Sequence, residues 1–382
     1  MRSVAGRRNA IWLLVAVLLI GSIGTVTTWA DASVVTTAES SVLAAQLTAT
    51  PAVTTWSTDP DPLQIEQMRM RGYPGSEITF EQTLAAGASY YQYIVSYLSD
   101  GYQVYALMTI PFGERPATGW PVIVFNHGYI APTEYTTTGS YVAYADTFAN
   151  HGYIVFKSDY RGHGNSGGGP EIGGGYGTPD YTVDVLNAIA ALKAYPDADP
   201  NRIGMWGHSM GGQITLRAMV VSQDIKAGVI WGGVVAPYPD VIARWDFVGR
   251  AREMQQSEGA PAFSGATGAQ SGAFRWGQSF SSWVGEFSTK YGTAEQNPGF
   301  WATISPNTYL ADLSGPLQLH HSTTDEMVPL AWSQILATEL QTVGSQSYEF
   351  YTYEGDNHNI SANFVTAMQR TVFFFDTYVK GQ

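Results

Sequence analysis

Gly207-His208-Ser209-Met210-Gly211 is a G-x-S-x-G run, a spacing that lets a serine stand on a tight strand-to-helix turn with its hydroxyl exposed. Glycines on either side relieve the crowding of such a turn, and the helix that follows aims amide N–H groups at negative charge developing nearby. In a chain with 41 glycines the bare pattern is weak, and it recurs at Gly164-Asn165-Ser166-Gly167-Gly168. Flanking sequence separates the two. Ser209 follows the apolar Ile203 to Trp206 and precedes the amphipathic Ile214 to Val221, whereas Ser166 runs into glycines up to Gly175, where no helix can start. Ser209 is the expected nucleophile. A serine hydroxyl attacks poorly at neutral pH without a base, so one of the seven histidines should serve it. A tetrahedral oxyanion also needs two donors. The backbone N–H of Met210 is one by position, and Tyr129 N–H, at the end of the run Phe125-Asn126-His127-Gly128-Tyr129, is the expected second. His208, the serine's neighbour on the turn, is expected to point away from the reacting centre, and His127 to be a structural hydrogen-bonding residue.

The elements that must position these residues are legible in the hydrophobic pattern. Tyr90 to Ser99 and Gln103 to Ile110 alternate around Ser99-Asp100-Gly101, which predicts an antiparallel hairpin. Continuous apolar runs then alternate with amphipathic stretches: Val122 to Phe125, Ile154 to Phe156 and Ile203 to Trp206, followed respectively by Val142 to Ala149, Val183 to Leu192 and Ile214 to Val221. That rhythm predicts a parallel sheet buried on both faces by helices. Ala227 to Trp231, Leu317 to Leu319 and Tyr348 to Tyr353 are the later strands, and Val365 to Tyr378 is a closing helix. Between about 236 and 306 the rhythm stops, and eleven aromatic residues lie from Trp245 to Trp301; the segment reads as an inserted cap over the site. Most of its aromatics are expected to form its own small core.

The 382 residues fit one large α/β domain with accessories, and 45% apolar against 13% charged residues rules out global disorder. Absence of cysteine excludes disulfide scaffolds, thiolate metal sites and cysteine nucleophiles. Residues 1–30 combine a basic start, an apolar run from Ile11 to Ile20 and small residues before Ala30, which reads as a signal peptide or an N-terminal membrane anchor; either puts the catalytic part outside the cytoplasm, secreted or on the outer face of the membrane. Removing Arg2, Arg7 and Arg8 with that leader takes the net charge from −13 to −16, so nucleic acid is not an expected partner. Residues 31–77 are read as linker and lead-in, and 78–382 as the catalytic domain.

With these residues in view, the chain resembles an α/β-hydrolase, and within that superfamily the prolyl oligopeptidase catalytic domains and their dienelactone-hydrolase-like relatives. The resemblance rests on Asp159-Tyr160-Arg161-Gly162-His163-Gly164-Asn165-Ser166-Gly167, on Gly207 to Gly212, and on the segments around Asp325-Val328-Pro329 and His358. It implies a chain order of serine, acid, then base, which leaves His320, His321 and His358 as bases. His358, in Gly355-Asp356-Asn357-His358 after the last strand, is the expected base, and Asp325, just past the strand Leu317 to Leu319, the orienting acid, with Glu326 and Asp356 as alternatives. Asp159 and Arg161 are expected to brace a loop. Two departures matter: Met210 stands where prolyl oligopeptidases usually carry an aromatic residue, and fewer than about 50 residues separate the leader from the core, where those enzymes have a β-propeller. The expectation is a serine hydrolase needing no cofactor, acting on a small-molecule ester or, alternatively, a short peptide. A non-catalytic binding protein on the same fold should lack a triad member, and none is missing. His127, His163, His320 and His321 lack the spacing of a zinc motif, so no metal is expected.

Overall fold

A computed structural model of the protein describes residues 56–169, 177–244, 282–344 and 347–381. Its frame is a nine-stranded sheet: β1 (Thr79–Thr83), β2 (Tyr90–Ser99), β3 (Tyr102–Pro111), β4 (Trp120–Asn126), β5 (Ile154–Ser158), β6 (Ala198–His208), β7 (Ala227–Trp231), β8 (Leu317–Ser322) and β9 (Tyr348–Tyr353). The spatial order is β1-β2-β3-β5-β4-β6-β7-β8-β9. β1 to β3 are antiparallel neighbours and β3 meets β5 antiparallel. From β5 to β9 every pairing is parallel. The chain leaves β4 toward one edge to make β5, then returns past β4 to make β6. Such a reversal opens a crevice beyond the carboxyl ends of the two central strands, the usual place for a site in an open α/β sheet.

Burial of the central strands on both faces explains their unbroken apolar runs. Val122, Val124, Ile203 and Met205 point into one core with Leu186 and Leu216, while Ile123, Phe125 and Trp206 point into the other with Phe148 and Phe375. The first core is covered by α3 (Asp180–Ala194), α4 (Met210–Val221) and α8 (Leu330–Val343), the second by α2 (Val142–Asn150) and α9 (Phe364–Phe375). The rings of Phe125 and Trp206 stack at 4.3 Å under the carboxyl ends of β4 and β6.

The segment read as lead-in is in part core. Helix α1 (Ile65–Met70) buries Ile65 and Met68 together with Leu63, and Arg69 Nε donates to the carbonyl of Val220 at the end of α4 at 2.9 Å. The segment read as a cap contributes α5 (Tyr238–Arg244), α6 (282–291) and α7 (Pro298–Ile304). Tyr291 stacks on Phe300 at 3.8 Å and Trp283 lies 4.6 Å from Phe287, so these aromatics pack with one another. Trp245, Phe247, Phe263, Phe274, Trp276 and Phe280 lie outside the described residues, as do residues 1–30, read above as a signal peptide or anchor. Among the described residues no helix is long and apolar enough to cross a membrane.

One buried charge network ties the hairpin to the sheet. The Arg161 guanidinium donates to Asp184 at 2.6 and 2.9 Å and to Asp100, on the β2–β3 turn, at 3.0 Å, and Arg161 N–H donates to Asp184 at 2.8 Å. The Asp184 side chain is fully buried, and that burial works to raise its pKa against the pull of Arg161. Removing one partner of such a pair leaves an uncompensated charge. Arg161→Leu should therefore cost about 3–5 kcal/mol in urea unfolding at pH 8. Without its partner Asp184 titrates higher in the folded state, so the penalty is present above that folded pKa and fades as protonation neutralises the carboxyl. The deficit against the parent should thus be smaller at pH 5, and Arg161→Leu/Asp184→Leu should recover part of it at pH 8; equal deficits at both pH values would exclude this account.

Candidate active site

At the end of β6 the chain turns into α4 through Ser209, whose φ of 56° and ψ of −119° lie in a region that side-chain-bearing residues rarely adopt. The turn is held by backbone bonds on both sides. Ser209 N–H donates to Trp231 O at 3.0 Å, and Ser209 O accepts from Gly212 at 3.0 Å and Val234 at 3.2 Å. Gly211 faces the end of β4 so closely that an added Cβ would sit 2.0 Å from the carbonyl oxygen of Asn126. The glycine of the motif is thus required by backbone approach. Met210 opens α4, and a first-turn amide has no acceptor within its own helix.

Asp325 lies beyond β8 and His358 beyond β9, on adjacent strands, and the structure joins them: His358 Nδ1 is 2.8 Å from Asp325 Oδ2. The other carboxylate oxygen accepts the backbone N–H groups of Met327 and Val328, both at 2.8 Å. A second imidazole, His321 Nε2, stands 3.2 Å from Oδ2, while its Nδ1 is 2.7 Å from Ser333 Oγ. Burial works to raise the Asp325 pKa, but the hydrogen bonds from His321 and His358 outweigh it and hold the carboxyl well below its ordinary range. The alternatives considered for the acid have other partners. Glu326 accepts the His358 backbone N–H at 3.0 Å, and Asp356 accepts the N–H groups of Asn357, Ala362 and Asn363 at the head of α9. Neither Glu326 nor Asp356 is joined to the imidazole by a hydrogen bond among those described.

Among the described residues no hydrogen bond links Ser209 Oγ to His358. The two come together through Ser209's neighbour, because the rings of His208 and His358 lie 4.5 Å apart. This corrects the expectation that His208 points away: its ring is buried against the His358 ring, and Nε2–H donates to the His358 carbonyl at 3.2 Å. Burial pushes the His208 pKa down to about 3, so the ring is neutral.

On the other side of Ser209, β4 runs into His127-Gly128-Tyr129. His127 is buried between the rings of Tyr135 and Tyr160, at 4.5 and 4.3 Å, and burial holds its pKa well below the usual value. The Gly128 N–H donates to Tyr141 Oη at 3.0 Å, so that amide is committed and Tyr129 carries the next one along the loop. Asp159 accepts from Tyr135 Oη at 3.0 Å and Thr137 Oγ1 at 2.5 Å, which braces the same loop from below. The competing Ser166 is buried, and its Oγ accepts the Tyr105 N–H at 3.0 Å, a structural duty inside its glycine loop. His320 bridges Tyr353 Oη and Gln318 Oε1 within the second core, both at 2.7 Å. Sequence reasoning missed the second histidine on Asp325, because the contact is made across the loop after β8, where a four-residue spacing does not put two side chains on one face.

The comparisons with known proteins agree with this architecture. The serine aminopeptidase S33 family model matches residues 121–256, and the prolyl oligopeptidase family model matches 257–382. A probable dipeptidyl-aminopeptidase B of Aspergillus oryzae is 24% identical over 302 residues, covering 75% of this chain but 29% of the relative's own length. An uncharacterized peptidase of Bacillus subtilis, YtmA, is 27% identical over 143 residues, which is 37% of this chain and 51% of that one. Among solved structures, a Pyrococcus horikoshii acylaminoacyl peptidase superposes with a TM-score of 0.55 at 20% identity, over 78% of this chain and 43% of its own. An acetyl xylan esterase from Paenibacillus sp. R4 gives the same TM-score at 17% identity, over 81% of this chain and 91% of its own. Its sheet and strand order give this chain the α/β-hydrolase fold, and the two family models that together run from the fourth strand to the end are both of serine hydrolases, of the S33 and prolyl oligopeptidase types.

Proposed function

We propose that this chain is an exported serine hydrolase that cleaves carboxylic esters through an acyl-enzyme on Ser209. The observation that carries the reading is the Asp325–His358 pair at 2.8 Å, set beside a serine held in a strained strand-to-helix turn. In the reaction His358 Nε2 takes the Ser209 proton as Oγ attacks the ester carbonyl, then returns it to the departing alcohol. Water repeats the sequence in reverse to release the acid. Asp325 fixes the His358 tautomer through Nδ1 and stabilises the imidazolium; being ionised far below neutral pH, it is available throughout the working range. The Met210 and Tyr129 amides receive the oxyanion. No cofactor enters any step.

Two observations favour an ester. Met210 after the nucleophile resembles esterases, and the acetyl xylan esterase is matched over 91% of its length. Peptide hydrolysis is the second reading, supported by both family models and by the dipeptidyl-aminopeptidase relatives. Export rests on the leader in residues 1–30.

Ser209→Ala should lower kcat by about 10⁴- to 10⁶-fold while the fold is retained, and a fluorophosphonate probe should label only the parent. Labelling that persists in Ser209→Ala, or moves to Ser166, would refute the assignment. His358→Ala should be nearly as damaging, and Asp325→Asn somewhat less so at about 10⁴-fold, because the ring keeps some productive population without its acid. Activity of either variant within tenfold of the parent would remove that residue from the mechanism. On a panel of p-nitrophenyl esters against aminoacyl and prolyl p-nitroanilides, kcat/KM should favour a short-chain ester by at least about tenfold; the opposite order would select the peptidase reading.

A further inference from the structure

Three loops of the site are joined by one chain of hydrogen bonds. Gly128 N–H donates to Tyr141 Oη at 3.0 Å, Tyr141 O–H donates to His208 Nδ1 at 2.7 Å, and His208 Nε2–H donates to the His358 carbonyl at 3.2 Å. The directions follow from chemistry. A carbonyl only accepts, so the proton of the neutral His208 ring is on Nε2; Nδ1 must then accept, and the tyrosine must donate to it. The tyrosine oxygen is left to receive the Gly128 amide. No member can be reversed without breaking the next.

The backbone is fitted to this chain. Tyr141 has a φ of 60°, a left-handed conformation that a non-glycine residue keeps only where its surroundings impose it. At Gly128 an added Cβ would lie 2.7 Å from Tyr141 Oη, 3.1 Å from Ser209 Cβ and 3.3 Å from His208 Nδ1, so the oxyanion loop, the relay and the nucleophile are in direct contact. Among the described residues no second donor meets the His358 carbonyl.

We infer that Tyr141 and His208 are positioning residues of the hydrolytic site, acting as one relay that sets the spacing between the oxyanion loop, the nucleophile turn and the loop carrying His358. The inference rests on the serine hydrolase reading. Ser209 and His358 follow different strands, and among the described residues no hydrogen bond joins them, so their alignment is transmitted through groups that touch both loops, and this relay does so. The neutral His208 ring also adds no positive charge beside His358 when that base becomes an imidazolium.

Tyr141→Phe removes one oxygen atom, and His208→Phe removes both ring nitrogens while keeping a flat ring. Each should lower kcat for a short-chain p-nitrophenyl ester, and the second-order rate of fluorophosphonate labelling, by about tenfold, with KM within about twofold of the parent. Because the relay acts as a unit, Tyr141→Phe/His208→Phe should lose about tenfold rather than a hundredfold. His208→Gln, whose amide can replace Nε2–H as donor to the His358 carbonyl, should recover most of the rate lost in His208→Phe. Single variants within twofold of the parent, a loss confined to KM, multiplicative losses in the double variant, or His208→Gln as slow as His208→Phe would each overturn the relay. A parent that takes no fluorophosphonate would instead overturn the serine hydrolase reading. Labelling speed needs no knowledge of the substrate, so the two failures are distinct.

Discussion

A serine held at positive φ in a strand-to-helix turn has to be kept there by everything around it, and that requirement organises this molecule. Ser209 is fixed by bonds to β7 below it and to the segment after β7 beside it. β4 approaches so closely that only glycine fits at 211. Neither condition can be met by a local turn alone; both need β4, β6 and β7 in register, which needs both faces of the sheet covered. The two hydrophobic cores are in this sense the foundation of one strained residue. Strain of this kind, about 1–3 kcal/mol, is small beside the burial that opposes its relaxation.

Electrostatics follows the same logic of keeping a reactive arrangement buried without stray charge. His127 and His208 flank the centre and are both held neutral by burial, whereas Asp325 is kept ionised by two imidazoles and two backbone amides. The carboxylate that meets the His358 imidazole is thus that of Asp325, at Nδ1. The charges that brace the fold, Arg161 with Asp184 and Asp100, lie at the β2–β3 turn and α3.

Much of this was legible in the residues. Unbroken apolar runs located the strands from β4 to β7, because strands buried on both faces leave no alternating pattern. Ser209 stood out by its strand-then-helix context, and Asp325 and His358 by their places just past β8 and β9. Contacts between elements were not legible. Leu63, Ile65 and Met68 are too few to show helical periodicity, so their docking onto the core was read as lead-in. β1 is exposed along its whole length and carries no alternation. His208 was misplaced because the turn dictates the direction of Ser209 but not where its neighbour finds room. His321 reached Asp325 through a loop whose path no pattern of residue types encodes.

The candidate site is divided between the middle and the margin of the sheet. Ser209 and the Met210 amide follow β6 and Tyr129 follows β4 at the centre, while His358 follows β9, which pairs with β8 at the edge. On the proposed reading, a chain whose β9 is not docked would hold the serine without its proton acceptor. The outermost strand is then the place where a local lesion would silence the chemistry while leaving the central sheet intact.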